Sequence, residues 1–182
     1  MLAMLNPDEF FGRGAGPKNS SGFSTSGSLV SAGEQMLGDI LSALGRVDES
    51  RDHLRVAREL AEASGVAIES VIAVLLAALL PDGDVESAGS AYLEHRDRLP
   101  FRVRMHAEHL MFRLMDDRAH LDETWARLQR LRENAPPGYR ESMMQMQPMH
   151  RAIAEDVERM AEIERGGGER CDEIPRAQSR DA

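Results

Sequence analysis

From Ser31 to about Arg165 the apolar residues recur at helical rather than strand spacing, and the pattern predicts one helix after another. A helix over Gln35–Leu44 ends at Gly45, a residue type suited to the left-handed turn that closes helices. Asp48–Ser64 opens with an acidic first turn, carries Leu54, Ala57, Leu60 and Ala61 as a stripe, and ends at Gly65. Ala67–Leu80 is apolar nearly all round, which predicts a helix packed on several sides, and it stops at Pro81. Asp84 is the expected N-cap of a helix to Leu99, and Pro100 the first turn of another to Met115. Asp122–Asn134 places Trp125, Leu128 and Leu131 on one side and the i,i+4 pair Glu123 and Arg127 on the other. After Pro136-Pro137-Gly138 come two further helices, Tyr139–Gln147 and Met149–Arg165, the last with Met149, Ile153, Val157 and Met160 on one face. No stretch alternates as a strand would. Residues 1–32 lack periodicity: Phe10-Phe11 leads into a Gly- and Ser-rich run, which predicts a flexible arm, with Met1–Phe11 as a short helical turn or a docking segment at its start. Residues 166–182, beginning Gly166-Gly167-Gly168, read as a disordered polar tail.

Three stretches of the helical part superpose slot by slot. Leu37-Gly38, Leu41, Gly45, Ser50, Leu54 and Ala57 align with Leu75-Leu76, Leu79, Gly83, Ala88, Tyr92 and His95, then with Met111-Phe112, Met115, Ala119, Thr124, Leu128 and Leu131. Each slot moves by 38 residues and then by 36. The units read as helix, short turn, helix, with a small residue in the turn slot (Gly45, Gly83, Ala119) and another where two helices approach (Ser50, Ala88, Thr124). Hairpins of this length bury their apolar faces by stacking. The pattern over residues 31 to 136 resembles the tetratricopeptide repeat, best in the first unit, where Asp48-Glu49-Ser50 with Leu54 and Ala57 looks like the start of that family's second helix. His95 and Leu131 depart from its usual small residue, Ala119 from its turn glycine, and the unit lengths exceed its usual spacing. The long first pair is similar to the divergent repeats of large bacterial signalling ATPases, kinases and transcription regulators. The expected fold is therefore all-α, an α-α superhelix of about three helix-turn-helix repeats over residues 33–165, with capping helices from about residue 139.

Composition narrows the class. The 182 residues suffice for one domain with a core, 42% are apolar and only 4% aromatic, so Leu, Ala, Val, Ile and Met must build that core. A net charge of −9 disfavours nucleic acid and anionic membrane as partners. The single Cys171 excludes an internal disulfide, and the longest apolar run, Val71–Leu80, is 10 residues, too short to span a bilayer. With no signal-peptide pattern evident, a cytoplasmic location is expected. Of 22 basic residues only Lys18 is lysine, which hints at a bacterial source.

In the resembled family, first-helix side chains line a concave groove that accepts a peptide or partner helix. That resemblance implies Gln35, Asp39 and Ser42 in the first unit, Ser70, Ala73 and Ala77 in the second, and His106, His109 and Arg113 in the third. From Arg96 to Arg118 six Arg face Asp97, Glu108, Asp116 and Asp117, a local charge of +2, so the third-unit end is expected to take an acidic or carboxylate-ended segment. Other motifs carry less. His106 and His109 stand at i,i+3 rather than the i,i+4 of zincins, and no third ligand is placed by spacing. Met143, Met144, Met146 and Met149 suit irregular packing or an adaptable surface better than copper. Gly12-Arg13-Gly14-Ala15-Gly16-Pro17-Lys18 lacks the strand, the helix and the Ser/Thr of a phosphate loop. Cys171 has no base near it in sequence. No catalytic constellation or cofactor is predicted.

The expected function is a protein–protein interaction scaffold or regulatory module in bacterial signalling or transcription regulation. The alternatives are an enzyme with an unrecognised helical active site and a peptide-sensing regulator. A closed pocket with convergent polar groups would favour the enzyme, an open groove the scaffold. The helix from Gln35 lacks an apparent cap on its outer side, which predicts a homodimer through the N-terminal end of the stack or a missing upstream domain.

Overall fold

The computed structural model describes residues 24–65 and 67–168. Eight α-helices follow one another there, with no strand among the described residues: α1 (Ser24–Ala43), α2 (Val47–Ala63), α3 (Ala67–Ala78), α4 (Val85–His95), α5 (Phe101–Met115), α6 (Arg118–Asn134), α7 (Arg140–Met146) and α8 (Pro148–Gly168). Short 3-10 turns, Arg96–Arg98 and Pro137–Tyr139, lead into α5 and α7. The all-α expectation holds and most boundaries fall within a few residues of those read from the sequence.

The helices pair as antiparallel neighbours, α1 with α2, α3 with α4 and α5 with α6, and each pair touches the next. Helix α3 packs against α1, α2, α4 and α5, which is what an all-round apolar sequence requires. It contributes Val71, Ile72, Leu75 and Leu76 to a core that also takes Leu54, Ala88, Tyr92, Leu99, Leu110 and Met111. A second cluster, Met105, Leu128 and Ile153, joins α5, α6 and α8, with Met143, Met144 and Met149 packed against it. Three of the four methionines thus fill the gap between α7, α8 and the preceding pair, while Met146 remains exposed.

The repeated slots have a physical basis. Ser50, Ala88 and Thr124 are all 0% exposed, so only small side chains fit where paired helices approach. Around Ser50 the approach is close: its Oγ donates to the Gly38 carbonyl at 2.7 Å, and a Cβ on Gly38 would lie 2.6 Å from Leu54 Cγ. Leu54, Tyr92 and Leu128, one turn further along the second helices, are likewise buried. The turn slot behaves less uniformly. Gly45 takes a left-handed conformation, φ +74°. In the other two turns that conformation falls on Asp82 (φ 60°) and Asp116 (φ 53°). Gly83 is needed for another reason, since a Cβ there would sit 2.3 Å from the Ala78 carbonyl oxygen, and Ala119 lies inside the first turn of α6.

Two boundaries correct the sequence reading. Helix α1 begins at Ser24, eleven residues before Gln35, so residues 24–32 are helix rather than flexible arm. A tertiary contact accompanies the extension: the buried Ser31 hydroxyl donates to the Ala57 carbonyl of α2 at 2.9 Å. Gly- and Ser-rich sequence hid this, because few large apolar residues mark the period. Helix α8 continues through the glycines to Gly168. The docking segment and the rest of the arm, residues 1–23, and the tail from 169 lie outside the described residues, as do the phosphate-loop-like motif and Cys171.

Candidate functional site

The nine groove positions separate by burial. Asp39 and Arg113 are exposed, and Gln35, Ser42, Ala77 and His106 are half-buried. Ser70, Ala73 and His109 are buried and present no surface to a partner, which corrects their assignment to an open groove. The cause is close stacking: α3 is covered on several sides, and α8 lies over the His109 face of α5.

Three of the nine do meet. Asp39, Ser42 and Arg113 rim a cleft of about 140 Å³ whose remaining walls are Ala43, Leu54, Leu76 and Leu79. Helices α1, α3 and α5 turn their C-terminal ends towards it, since Ala43 closes α1, Leu79 follows α3, and Arg113 stands in the last turn of α5. The carbonyl ends of these helices favour a cation, which settles Arg113 there. Arg113 makes no ion pair or hydrogen bond with any described residue, whereas Arg104 pairs with Glu108, and Arg118 with Asp122 and Glu164. Of His106, His109 and Arg113, only Arg113 thus keeps an available cationic group, on the cleft it shares with Asp39 and Ser42.

The two histidines are not free cations. Burial pushes His106 down to about 4, helped by the neighbouring His109 and Arg113. His109 is also held below its ordinary value by burial, against the opposing pull of Asp156. Its Nε2 lies 2.8 Å from Asp156 Oδ2. A carboxylate only accepts, so Nε2 carries the proton and a neutral imidazole donates. Asp156 also receives Arg159 at 2.8 Å, and Arg159 stacks 5.9 Å from the Phe112 ring centre. Burial pushes the Asp156 carboxyl up, yet the hydrogen bonds from Arg159 and His109 outweigh it and keep the group ionised below its usual range. His150 donates Nδ1–H to the Met143 carbonyl at 3.1 Å, and burial lowers its basicity too.

A buried ionic cluster lies between α4, α5 and α6. Glu108, 1% exposed, receives Arg104 Nε at 3.0 Å, Arg127 Nε at 2.9 Å and the Tyr92 hydroxyl at 3.3 Å. Tyr92 is raised to about 12 by burial and by the Glu108 charge, so it remains a donor at any ordinary pH. Its ring meets His120 edge-on at 5.8 Å, and Arg127 also sits 5.8 Å from the Phe101 ring centre. The i,i+4 spacing of Arg104 and Glu108 was visible in the sequence; the approach of Arg127 across 19 residues was not. The expected pair of Arg127 with Glu123 also forms, at 3.3 Å. With every polar atom of Glu108 committed, the cluster joins helices and leaves no group to act on a substrate. Among the described residues no three His, Cys, Asp or Glu side chains gather as metal ligands, and no helix is long and apolar enough to cross a membrane.

Compared with known proteins, the chain matches no family model, no curated protein and no solved structure.

Proposed function

We propose that the chain is a tetratricopeptide-like interaction module, with α1/α2, α3/α4 and α5/α6 as its three units and α7 and α8 closing the C-terminal end. The helix neighbours support the reading: first helices α1, α3 and α5 touch in succession, each backed by its own second helix. The uniform burial of Ser50, Ala88 and Thr124 supports it further. A scaffold role in bacterial signalling or transcription regulation follows from the same likeness.

The observation that carries a binding function is the uncommitted Arg113 on a cleft it shares with Asp39 and Ser42, whose apolar walls include Leu54, Leu76 and Leu79. A cleft of about 140 Å³ falls below the roughly 300–1,000 Å³ of small-molecule sites. It suits one inserted side chain or a chain end better than a whole substrate. In this reading a partner segment places a carboxylate on Arg113, a backbone N–H or hydroxyl on Asp39, and an apolar side chain on Leu76 and Leu79. Selection from a displayed peptide library should enrich Asp, Glu or a free C-terminus beside an apolar residue. Arg113→Ala should weaken the selected peptides by roughly tenfold or more while leaving thermal stability unchanged. Peptides that bind Arg113→Ala as tightly as the wild type would sink the reading.

A further inference from the structure

Helix α1 is apolar on two opposite faces, and only one of them is covered. Ser31, Gly38 and Leu41 turn inward against α2 and α3. On the other side Leu29, Val30, Met36, Leu37, Ile40 and Leu44 are 72%, 51%, 66%, 46%, 49% and 66% exposed. Half of the twelve large apolar side chains exposed among the described residues therefore lie within these sixteen positions. Such concentration marks an interaction surface, since scattered exposure is the normal state.

The repeat register says what kind of surface belongs there. Moving Gly33, Met36, Leu37 and Ile40 by 38 residues gives Val71, Val74, Leu75 and Ala78; moving those by 36 gives Ala107, Leu110, Met111 and Leu114. In α3 and α5 every one of these equivalents belongs to or packs on the core, covered by the helices of the preceding pair. Among the described residues the same face of α1 has no preceding pair. It is shaped to receive a helix of the kind it receives elsewhere in this chain.

We infer that a second copy of the chain covers it, α1 packing on α1 about a two-fold axis. Charge favours this occupant. The protein carries −9, so two copies repel least where charge is sparse, and the six side chains of the stripe carry none; the charges between Leu29 and Leu44 are Glu34, which bonds His53, and Asp39, which rims the cleft. The neighbouring charges of α2 are internally matched, Arg51 with Asp48, Arg55 with Glu59 and Arg58 with Glu62, and offer nothing to attract a strongly charged partner. Self-complementarity is what a two-fold interface needs, and an uncharged apolar stripe has it. The area is adequate as well. The six exposed fractions add to about 3.5 whole side chains, roughly 100 Å² each. Two copies then bury roughly 700 Å² of apolar surface, or about 1,100 Å² in all at the apolar share usual for homodimers. That just clears the ~1,000 Å² of a specific interface.

Sedimentation of the full chain from about 1 to about 200 µM tests this. The mass should rise from the 20.2 kDa monomer towards twice that value and stop there. The double variant Leu37→Glu, Ile40→Glu should raise the dissociation constant at least about 30-fold, because each paired stripe would then hold four buried carboxylates. Both positions are exposed, so circular dichroism and melting of the dilute variant should match the wild type. Leu93→Glu, also exposed but on α4, should leave the dimer intact. A monomer across the whole range, assembly that continues past the dimer, a dimer undiminished in the double variant, or equal loss in Leu93→Glu would each overturn the inference.

Discussion

Neutralising Glu108 with little change of shape probes the ionic cluster directly. Glu108→Gln keeps the volume but turns one acceptor oxygen into a donor that faces guanidinium N–H groups. The carboxylate now receives three hydrogen bonds, from Arg104, Arg127 and Tyr92, at 2.9 to 3.3 Å. Hydrogen bonds to charged groups contribute about 1.5–3 kcal/mol each, and breaking a buried pair costs about 3–5 kcal/mol. Arg104 and Arg127 keep 21% and 18% of their side-chain surface, so water relieves part of the loss. A net cost of about 3 kcal/mol is expected. For a domain of this size that lowers Tm by about 6–12 °C, read by circular dichroism at neutral pH. Pairing the change with Arg127→Met in a double-mutant cycle should show a coupling of about 1–2 kcal/mol, since the second substitution removes one stranded cation. A Tm shift below about 2 °C with no coupling would refute the view that this cluster ties α4, α5 and α6 together.

Acid should weaken the fold before any carboxylate is reached. The folded chain holds His106 near 4 and keeps His109 and His150 below their ordinary values, so between pH 6.5 and about 4 the unfolded chain binds protons that the folded one refuses. Stability is therefore complete above about pH 6.5 and falls as pH drops, by about 2–3 kcal/mol from His106 alone near pH 4.5. Urea midpoints that rise on acidification, or an unchanged pH slope in His106→Gln, would contradict this. Gly38→Ala forces a Cβ to 2.6 Å from Leu54 and should cost about 1–3 kcal/mol. Gly33→Ala, with nothing within 4 Å, should instead stabilise the dilute chain by about 0.5–1 kcal/mol, and calorimetry of the two variants gives opposite signs if the close contact is real. Asp84→Ala should cost about 1 kcal/mol in urea unfolding, because the side chain caps α4 by accepting from Ser87 N–H at 2.9 Å.

What could be read from the sequence was local in origin. The periods of α2 to α8, the cap at Asp84, the stop at Gly45 and the small slots at Ser50, Ala88 and Thr124 all follow from backbone preference and one-sided burial within a few turns. Even the unusual α3 announced itself, since a helix apolar all round must be enclosed. The N-terminal half of α1 did not, because Ser and Gly carry little period and the contact that Ser31 makes there is with distant α2.

The candidate site was legible only in part for the same reason. Repeat register put Asp39, Ser42 and Arg113 on first helices, where the three line one cleft, and tertiary packing decided which neighbours stayed open beside them. His109 looked like a groove cation until α8 brought Asp156 onto it, a contact 47 residues away that no local pattern encodes. The sequence paired Arg127 with Glu123 and counted Glu108 only in a local charge, whereas the fold brings Arg127 onto the buried Glu108. Helices are specified by short-range periodicity, which one chain displays openly. Burial of a particular charge depends on which distant helix arrives opposite it, and that is decided by the whole stack.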